Sequence, residues 1–236
     1  MKGNTYVFIF SLIVCVVSSV MLSFFSESLR PMQELNIDLD VKKNILKAVK
    51  LKDPLPEKVA PKELLKIYDD KIEELVIDQN GAVVEGKKPK DIKEKELLYP
   101  LYIYKENGAV ISYAYPIIGQ GLWSTLYGYL AIEADAVTVR GITFYKHGET
   151  PGLGGEIEKD WFQNNFVGKK IWSIKENKLT PIHVVKGKVV DLYKDERAEH
   201  AVDGITAATL TSNGVTNLLD RWINIYESYF SKIRKI

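Results

Sequence analysis

The sequence predicts an α+β protein in which one N-terminal membrane-spanning helix precedes a domain with a mainly antiparallel sheet and flanking helices. Three observations predict it. Residues 6–25 form an apolar run without charge or proline. From residue 97 onward, short β-rich runs flank turn residues in the manner of hairpins. Helical patterns accompany these hairpins without regular βαβ alternation, which argues against a doubly wound parallel sheet.

The apolar run, YVFIFSLIVCVVSSVMLSFF, has twenty residues. A helix of that length covers about 30 Å, the thickness of a bilayer's hydrocarbon. Its four serines can hydrogen-bond within the helix or to a neighbouring one. A cleaved secretory signal has a shorter apolar run and a small-residue cleavage site. Ser23-Phe24-Phe25-Ser26-Glu27 offers no such site, so the run reads as a retained anchor after a short flank of residues 1–5. Cys15 follows Val14 in apolar surroundings and reads as a packing residue. The basic Met1-Lys2 flank, with Glu27 and Arg30 beyond the span, favours a cytoplasmic N-terminus and an exported bulk.

Composition removes several classes of function. The 236 residues carry 32 basic and 31 acidic side chains, a net charge of +1, so no general electrostatic case for nucleic acid exists. One cysteine cannot build a disulfide framework or ligate an iron–sulfur cluster by itself. His147, His183 and His200 are too scattered for a metal motif. No phosphate loop of the GxGxxG or Walker type is present.

Residues 26–96 read as a membrane-proximal helical segment. Ile37, Val41, Ile45 and Ala48 recur near helical spacing. Pro54, Pro56 and Pro61 then interrupt the chain. Residues 60–75 read as a second helix with Leu64, Leu65, Tyr68 and Ile72 on one face, and residues 87–95 as a charged loop. The domain proper spans residues 97–236. Its first hairpin turns at Glu106-Asn107-Gly108, between Leu101-Tyr102-Ile103-Tyr104 and Val110-Ile111-Ser112-Tyr113. Residues 126–133 and 136–145 form a second strand pair, joined near Ala134-Asp135. A third hairpin is expected about Lys186-Gly187-Lys188, between residues 183–185 and 189–191. Helical patterns occupy residues 158–165 and 210–230.

Three segments hold more glycine, threonine and aromatic residues than packing needs. They are Gly119-Gln120-Gly121-Leu122-Trp123-Ser124, then His147-Gly148-Glu149-Thr150-Pro151-Gly152-Leu153-Gly154-Gly155, then Asp203-Gly204-Ile205-Thr206-Ala207-Ala208-Thr209-Leu210-Thr211-Ser212. Taken singly, each reads as a turn, a connecting loop and a helix start capped by Asp203 or Thr206. A helix N-terminus also suits a phosphate, because its N–H groups are unpaired and its dipole end is positive. Small Ala207 and Ala208 would admit a phosphate closely, and a threonine hydroxyl could itself accept a phosphoryl group. The loops at Leu122-Trp123 and residues 150–155 could wall a planar ring system. Spacing alone does not select flavin.

The third segment resembles the D-x-x-(S/T)-G-A-T attachment motif of the FMN-binding domain family, and the other two segments are similar to that family as well. With one N-terminal span, the chain resembles the family of C subunits of sodium-translocating NADH:quinone reductases. The resemblance implies FMN held as a phosphoester on Thr209 by a separate flavin transferase that uses FAD. It implies that Asp203, Thr206, Ala207, Ala208, Leu210 and Thr211 belong to the attachment segment. Leu122, Trp123, Ser124, Glu149, Thr150, Gly152 and Leu153 would border the flavin. No catalytic base and no metal is demanded. The implied role is an electron relay in a bacterial inner-membrane NADH:quinone oxidoreductase that exports sodium, with multi-span subunits, an iron–sulfur electron donor and the lipid bilayer as partners. The rivals are the G subunit of the related Rnf ferredoxin:NAD complex and a non-redox, membrane-tethered assembly module. The segment between anchor and Tyr99, with the wording Gly121-Leu122-Trp123-Ser124, favours the quinone reductase. One departure is Ala207, where the family pattern has glycine; it is expected within the first helical turn, where alanine is favourable.

Overall fold

A computed structural model describes residues 2–50, 59–93 and 95–234. The expected break at Pro54 and Pro56 lies outside the described residues. The chain forms two compact units, Met1–Val41 and Lys42–Ile236.

The first unit is helical throughout its described residues. It belongs to helix α1 (Lys2–Val49), which continues through Pro31 and is long and apolar enough to cross a membrane. Its large apolar side chains are exposed, Phe8 and Leu22 among them, as on a helix whose solvent is lipid. Beyond the apolar run, Arg30 pairs with Glu27 and Glu34 one turn away on either side.

In the second unit the last turns of α1 are buried, with Ile45, Leu46, Ala48 and Val49 wholly inaccessible. Arg140 donates from Nε to the Val49 carbonyl and from Nη1 to Glu133 at 3.0 Å. A C-terminal carbonyl that the helix leaves orphaned is thereby satisfied.

Helix α2 (Pro61–Lys71) runs directly into strand β1 (Ile72–Asp78). This corrects two expectations: a helix over residues 60–75, and a helical segment 26–96 lying outside the sheet domain. Leu64, Tyr68 and Ile72 are all buried, so helical spacing continues across the junction and hides it. The next residues, Val76 and Ile77, are fully buried and favour a strand. Pairing with the neighbouring strand, Leu75 opposite Leu101, decides the conformation.

The sheet is a five-stranded antiparallel meander in the order β1-β2-β3-β4-β5, with β2 (Leu98–Glu106), β3 (Ala109–Gln120), β4 (Thr125–Glu133) and β5 (Val139–Lys146). The β2–β3 hairpin turns on Asn107 and Gly108, at φ 50° and 79°. Positive φ at both central residues matches the twist of the flanking strands. The β4–β5 connection is held by Asp135, which accepts from the N–H groups of Val137 and Thr138, both at 2.8 Å.

After β5 the chain forms a 3₁₀ turn (Gly154–Glu158), α3 (Asp160–Asn164), and three two-residue strands, β6 (Trp172–Ser173), β7 (Lys178–Leu179) and β8 (His183–Val184). Helical turn α4 (Val189–Leu192), a 3₁₀ turn (Glu196–His200), β9 (Ala201–Val202) and the long helix α5 (Thr209–Ile233) complete it. The third expected hairpin does not form. Strand β8 pairs in parallel with β9, and residues 189–192 are helical. Asp203 accepts from the Val189 N–H at 2.8 Å, and the Gly204 N–H donates to the Gly187 carbonyl at 2.8 Å. These contacts bind the 186–188 turn to the chain leaving β9 and not to its own flanks.

Helix α5 closes the core against β3. Tyr226 stacks on Tyr115 with ring centroids 4.0 Å apart and donates its hydroxyl to the Pro100 carbonyl at 2.6 Å. Leu218 sits so close to the sheet that a Cβ on Gly119 would stand 2.4 Å from its own Cβ. Phe144, Phe162, Phe166, Val215, Leu219 and Phe230 join sheet and helices in one continuous cluster.

Candidate functional site

The three motif segments meet at one side chain. Strand β5 ends at Lys146 and delivers Glu149, which is 5% exposed. Its Oε1 accepts from the N–H groups of Trp123 at 2.9 Å and Ser124 at 3.2 Å. Its Oε2 accepts from the Leu122 N–H at 3.2 Å and from the Thr211 hydroxyl at 2.6 Å. The Ser124 hydroxyl accepts in turn from the Gly148 N–H at 2.5 Å, and the Thr150 carbonyl accepts from the N–H groups of Leu153 and Gly155 at 3.1 and 2.9 Å.

The glycines leave room for this carboxylate. A Cβ on Gly121 would stand 2.6 Å from Glu149 Oε1, and one on Gly154 would stand 2.4 Å from the Thr211 hydroxyl and 2.8 Å from Glu149 Oε2. Burial pushes the Glu149 carboxyl up, but the Thr211 hydroxyl and the three backbone N–H groups outweigh it and hold the group below the usual carboxylate range. The family resemblance implies that Glu149 borders a flavin. The structure gives both its oxygens to the protein, so it positions the loop that would form that border.

Thr209 is the first residue of α5 and is exposed. The residue before it, Ala208, supplies no side-chain cap. Among the described residues, the N–H groups of Thr209, Leu210 and Thr211 find no acceptor. The expected caps are therefore corrected: the Asp203 carboxylate holds the Val189 N–H, and Thr206 is exposed in the turn before the helix. Ala207 is corrected too. It does not lie in the helical turn but has φ 57°, a left-handed conformation that costs an L-residue about 1–2 kcal/mol. Glycine takes that conformation freely.

Two features meet the first turn of α5. A cleft of about 260 Å³ is lined by the 184–187 segment, by Gly204, Ile205, Thr206 and Ala207, and by Thr209, Ser212 and Asn213 of α5. Exposed apolar side chains surround the Glu149 hub: Leu122 and Trp123 on the loop it holds, Leu210 beside Thr211, and Leu153 beside Gly154. Gly152, at φ 75°, turns the loop that carries Leu153. Lys186, Gly187, Ser212 and Asn213 belong to the cleft, and sequence reasoning misses their part in it. The available signal is the spacing of Ser212, three residues after Thr209 on a helix.

These residues suit a flavin nucleotide. An uncapped helix start accommodates a phosphoryl group, the threonine hydroxyl beside it is accessible, and exposed leucines and a tryptophan offer surface to a planar ring. Fold and site together define a protein carrying an FMN-binding domain, and the family model described as FMN-binding domain matches residues 121–224. A C subunit of the Na(+)-translocating NADH-quinone reductase from Pseudomonas aeruginosa is 33% identical, over 99% of this chain and 97% of that protein. The corresponding protein of Yersinia pestis is 32% identical, over 94% and 90%. The crystal structure of the C subunit from Parabacteroides distasonis is 32% identical and superposes with a TM-score of 0.73, covering 86% of this chain and 97% of that one. The chain belongs to the family of Na(+)-translocating NADH-quinone reductase C subunits.

Two outcomes follow for stability. Glu149→Gln sets an amide N–H₂ against backbone donors and is expected to cost about 3 kcal/mol at pH 7, since hydrogen bonds to a charged acceptor contribute about 1.5–3 kcal/mol each. The folded-state pKa of Glu149 is depressed, so its contribution is complete above the unfolded value of about 4.3 and is lost as pH falls through the folded value. Thermal melting of the full chain in detergent should therefore show a wide gap between wild type and variant at pH 7 that narrows below about pH 4. A gap independent of pH would contradict the charge argument. Ala207→Gly relieves the left-handed strain against a smaller gain in unfolded-state entropy and should stabilise by about 0.5–1 kcal/mol. A lowered melting temperature would rule out positive φ at this position.

Proposed function

We propose that this chain carries FMN as a phosphoester on Thr209 and relays electrons within a membrane NADH:quinone reductase whose electron flow drives sodium export. The observation that carries the reading is the exposed Thr209 hydroxyl at the uncapped start of α5. Bound FMN would supply the one- and two-electron redox chemistry. Thr209 Oγ1 holds the ester. The free N–H groups of the first turn and the positive end of the helix dipole stabilise the phosphoryl charge. Leu122, Trp123, Leu153 and Leu210 cover a planar ring, while Thr150 and Gly152 shape the loop that presents Leu153. Glu149 and Ser124 fix the Leu122-Trp123 loop in place.

Attachment requires a flavin transferase with FAD as donor. The Thr209 oxygen bonds to the FMN-side phosphorus, the bond from that phosphorus to the bridging oxygen breaks, AMP leaves, and the hydroxyl proton passes to a base of the transferase. Asp203, Thr206, Ala207 and Ala208 form the segment presented to that enzyme. A single span cannot line an ion path, so multi-span subunits carry sodium and an iron–sulfur subunit supplies electrons. The names of the relatives support membership of such an assembly. The basic flank before the span and the single cysteine support an N-terminus in the cytoplasm of a bacterial inner-membrane protein, with the FMN domain exported.

Mass spectrometry of the peptide spanning Asp203 to Arg221, from the native host, tests the attachment directly. Thr209→Ala is expected to abolish in-gel flavin fluorescence with the fold intact, and an undiminished fluorescent band would refute the assignment. Protease treatment of intact spheroplasts should digest the domain, and full protection would reverse the orientation.

A further inference from the structure

We infer that the cleft beside the start of α5 seats the phosphoryl group of the nucleotide, with the Ser212 hydroxyl as its hydrogen-bond donor and Lys186 as its countercharge. This rests on the reading that Thr209 carries a flavin nucleotide, and it adds two residues that the attachment motif does not contain.

The geometry of α5 separates two functions. At 3.6 residues per turn, Thr209, Ser212, Asn213 and Thr216 fall on one side of the helix. That side is fixed against β8, because the Val184 N–H donates to the Thr216 hydroxyl at 2.9 Å. Thr211 points elsewhere, to Glu149. An ester oxygen on Thr209 therefore stands over Ser212, and both line the same cleft.

Ser212 is 4% exposed. Its hydroxyl is buried and has no hydrogen-bond partner among the described residues. The neighbouring hydroxyls are satisfied: Thr211 donates to Glu149 at 2.6 Å, and Thr216 donates to the Ser212 carbonyl at 3.1 Å. A buried hydroxyl without a partner is costly and calls for an explanation, and here it sits beside the proposed attachment point. The opposite wall carries the charge. Lys186 lines the cleft and, among the described residues, has no carboxylate within ion-pair distance. Asp203 is not part of the lining, because its carboxylate holds the Val189 N–H. A phosphodiester has one ionised oxygen at neutral pH. One lysine and one helix N-terminus match that charge, and the hydroxyl of Ser212 completes the donor set.

The test uses the full chain in detergent, co-expressed with its flavin transferase, in wild-type and Thr209→Ala backgrounds. Peptide mass first establishes whether wild type carries the nucleotide; an unmodified wild-type peptide overturns the parent reading and, with it, this assignment. In the unloaded Thr209→Ala background, Ser212→Ala removes an orphaned hydroxyl and should raise the melting temperature by about 2–4 °C. In the loaded protein the same substitution should lower it by a similar amount and shift the ³¹P resonance of the ester. Lys186→Gln should lower the melting temperature of the loaded protein alone, by an amount that shrinks with added salt. Equal changes in both backgrounds with an unmoved ³¹P resonance would overturn the assignment. If Ser212→Ala accepts no flavin, Lys186→Gln decides by the same two measurements. A loss confined to the loaded protein, with a shifted resonance, then upholds the cleft, and equal changes with an unmoved resonance overturn it.

Discussion

A carboxylate shut away from water must find donors, and Glu149 finds four of them in places far apart in the chain. Three are backbone N–H groups of a loop 25 to 27 residues upstream, and the fourth is a hydroxyl 62 residues downstream. This one side chain ties the β3–β4 connection, the loop after β5 and the first turn of α5 together. The charge is tolerable there because both oxygens are fully used, and it specifies the arrangement because any displacement of the loop strands donors and acceptor together. Gly121 and Gly154 follow from the same contact, since a methyl group on either would occupy the space of the carboxylate or of its hydroxyl partner.

The beginning of α5 stands at the boundary of two surroundings. Behind it lies the Glu149 hub with its exposed apolar side chains, and to one side lies the cleft bounded by the 184–187 segment and the turn through Ala207. Thr209 occupies the boundary and is committed to neither by any hydrogen bond of its side chain among the described residues. Downstream, the helix is fixed firmly. Thr216 is bonded to β8, Gly214 lies so near the sheet that a Cβ would stand 2.5 Å from the Gln120 carbonyl, and Tyr226 is stacked in the core. A rigid rod thus presents an open end.

Much of the fold is legible in the sequence because local chemistry and tertiary pairing agree there. Asn107-Gly108 is a turn wherever it occurs between β-rich runs, and it is a turn here. The apolar run and the long helix after Ala208 are legible for the same reason. The failures have physical causes. At β1 the apolar spacing of Leu64, Tyr68 and Ile72 passes smoothly from helix to strand, so the junction is visible only in the pairing with β2. At Lys186-Gly187-Lys188 the turn is real, but Asp203 captures it through Val189, 14 residues away, and Gly204 through Gly187, 17 residues away, and no local pattern reports that. In the candidate site, the three glycine-rich segments are visible, whereas their meeting point is not. That Glu149 organises a loop is written in no local pattern, because its donors lie 25 to 27 residues upstream and 62 downstream. Ala207 misleads in a subtler way, since alanine is a good helix former and its left-handed backbone depends on a turn set by the residues around it.

The hydrophobic core does not include Thr209. Its aromatic and aliphatic members are packed under the sheet and along α5, and the exposed Thr209 lies outside that cluster. If Thr209 carries the nucleotide as proposed, the group would add nothing to this cluster and could be received as a finishing step, unlike the ligand of small metal-dependent modules whose folding waits for it. On that proposal, maturation would be an event at a preformed surface, where a transferase would meet an ordered chain and have no need to open one.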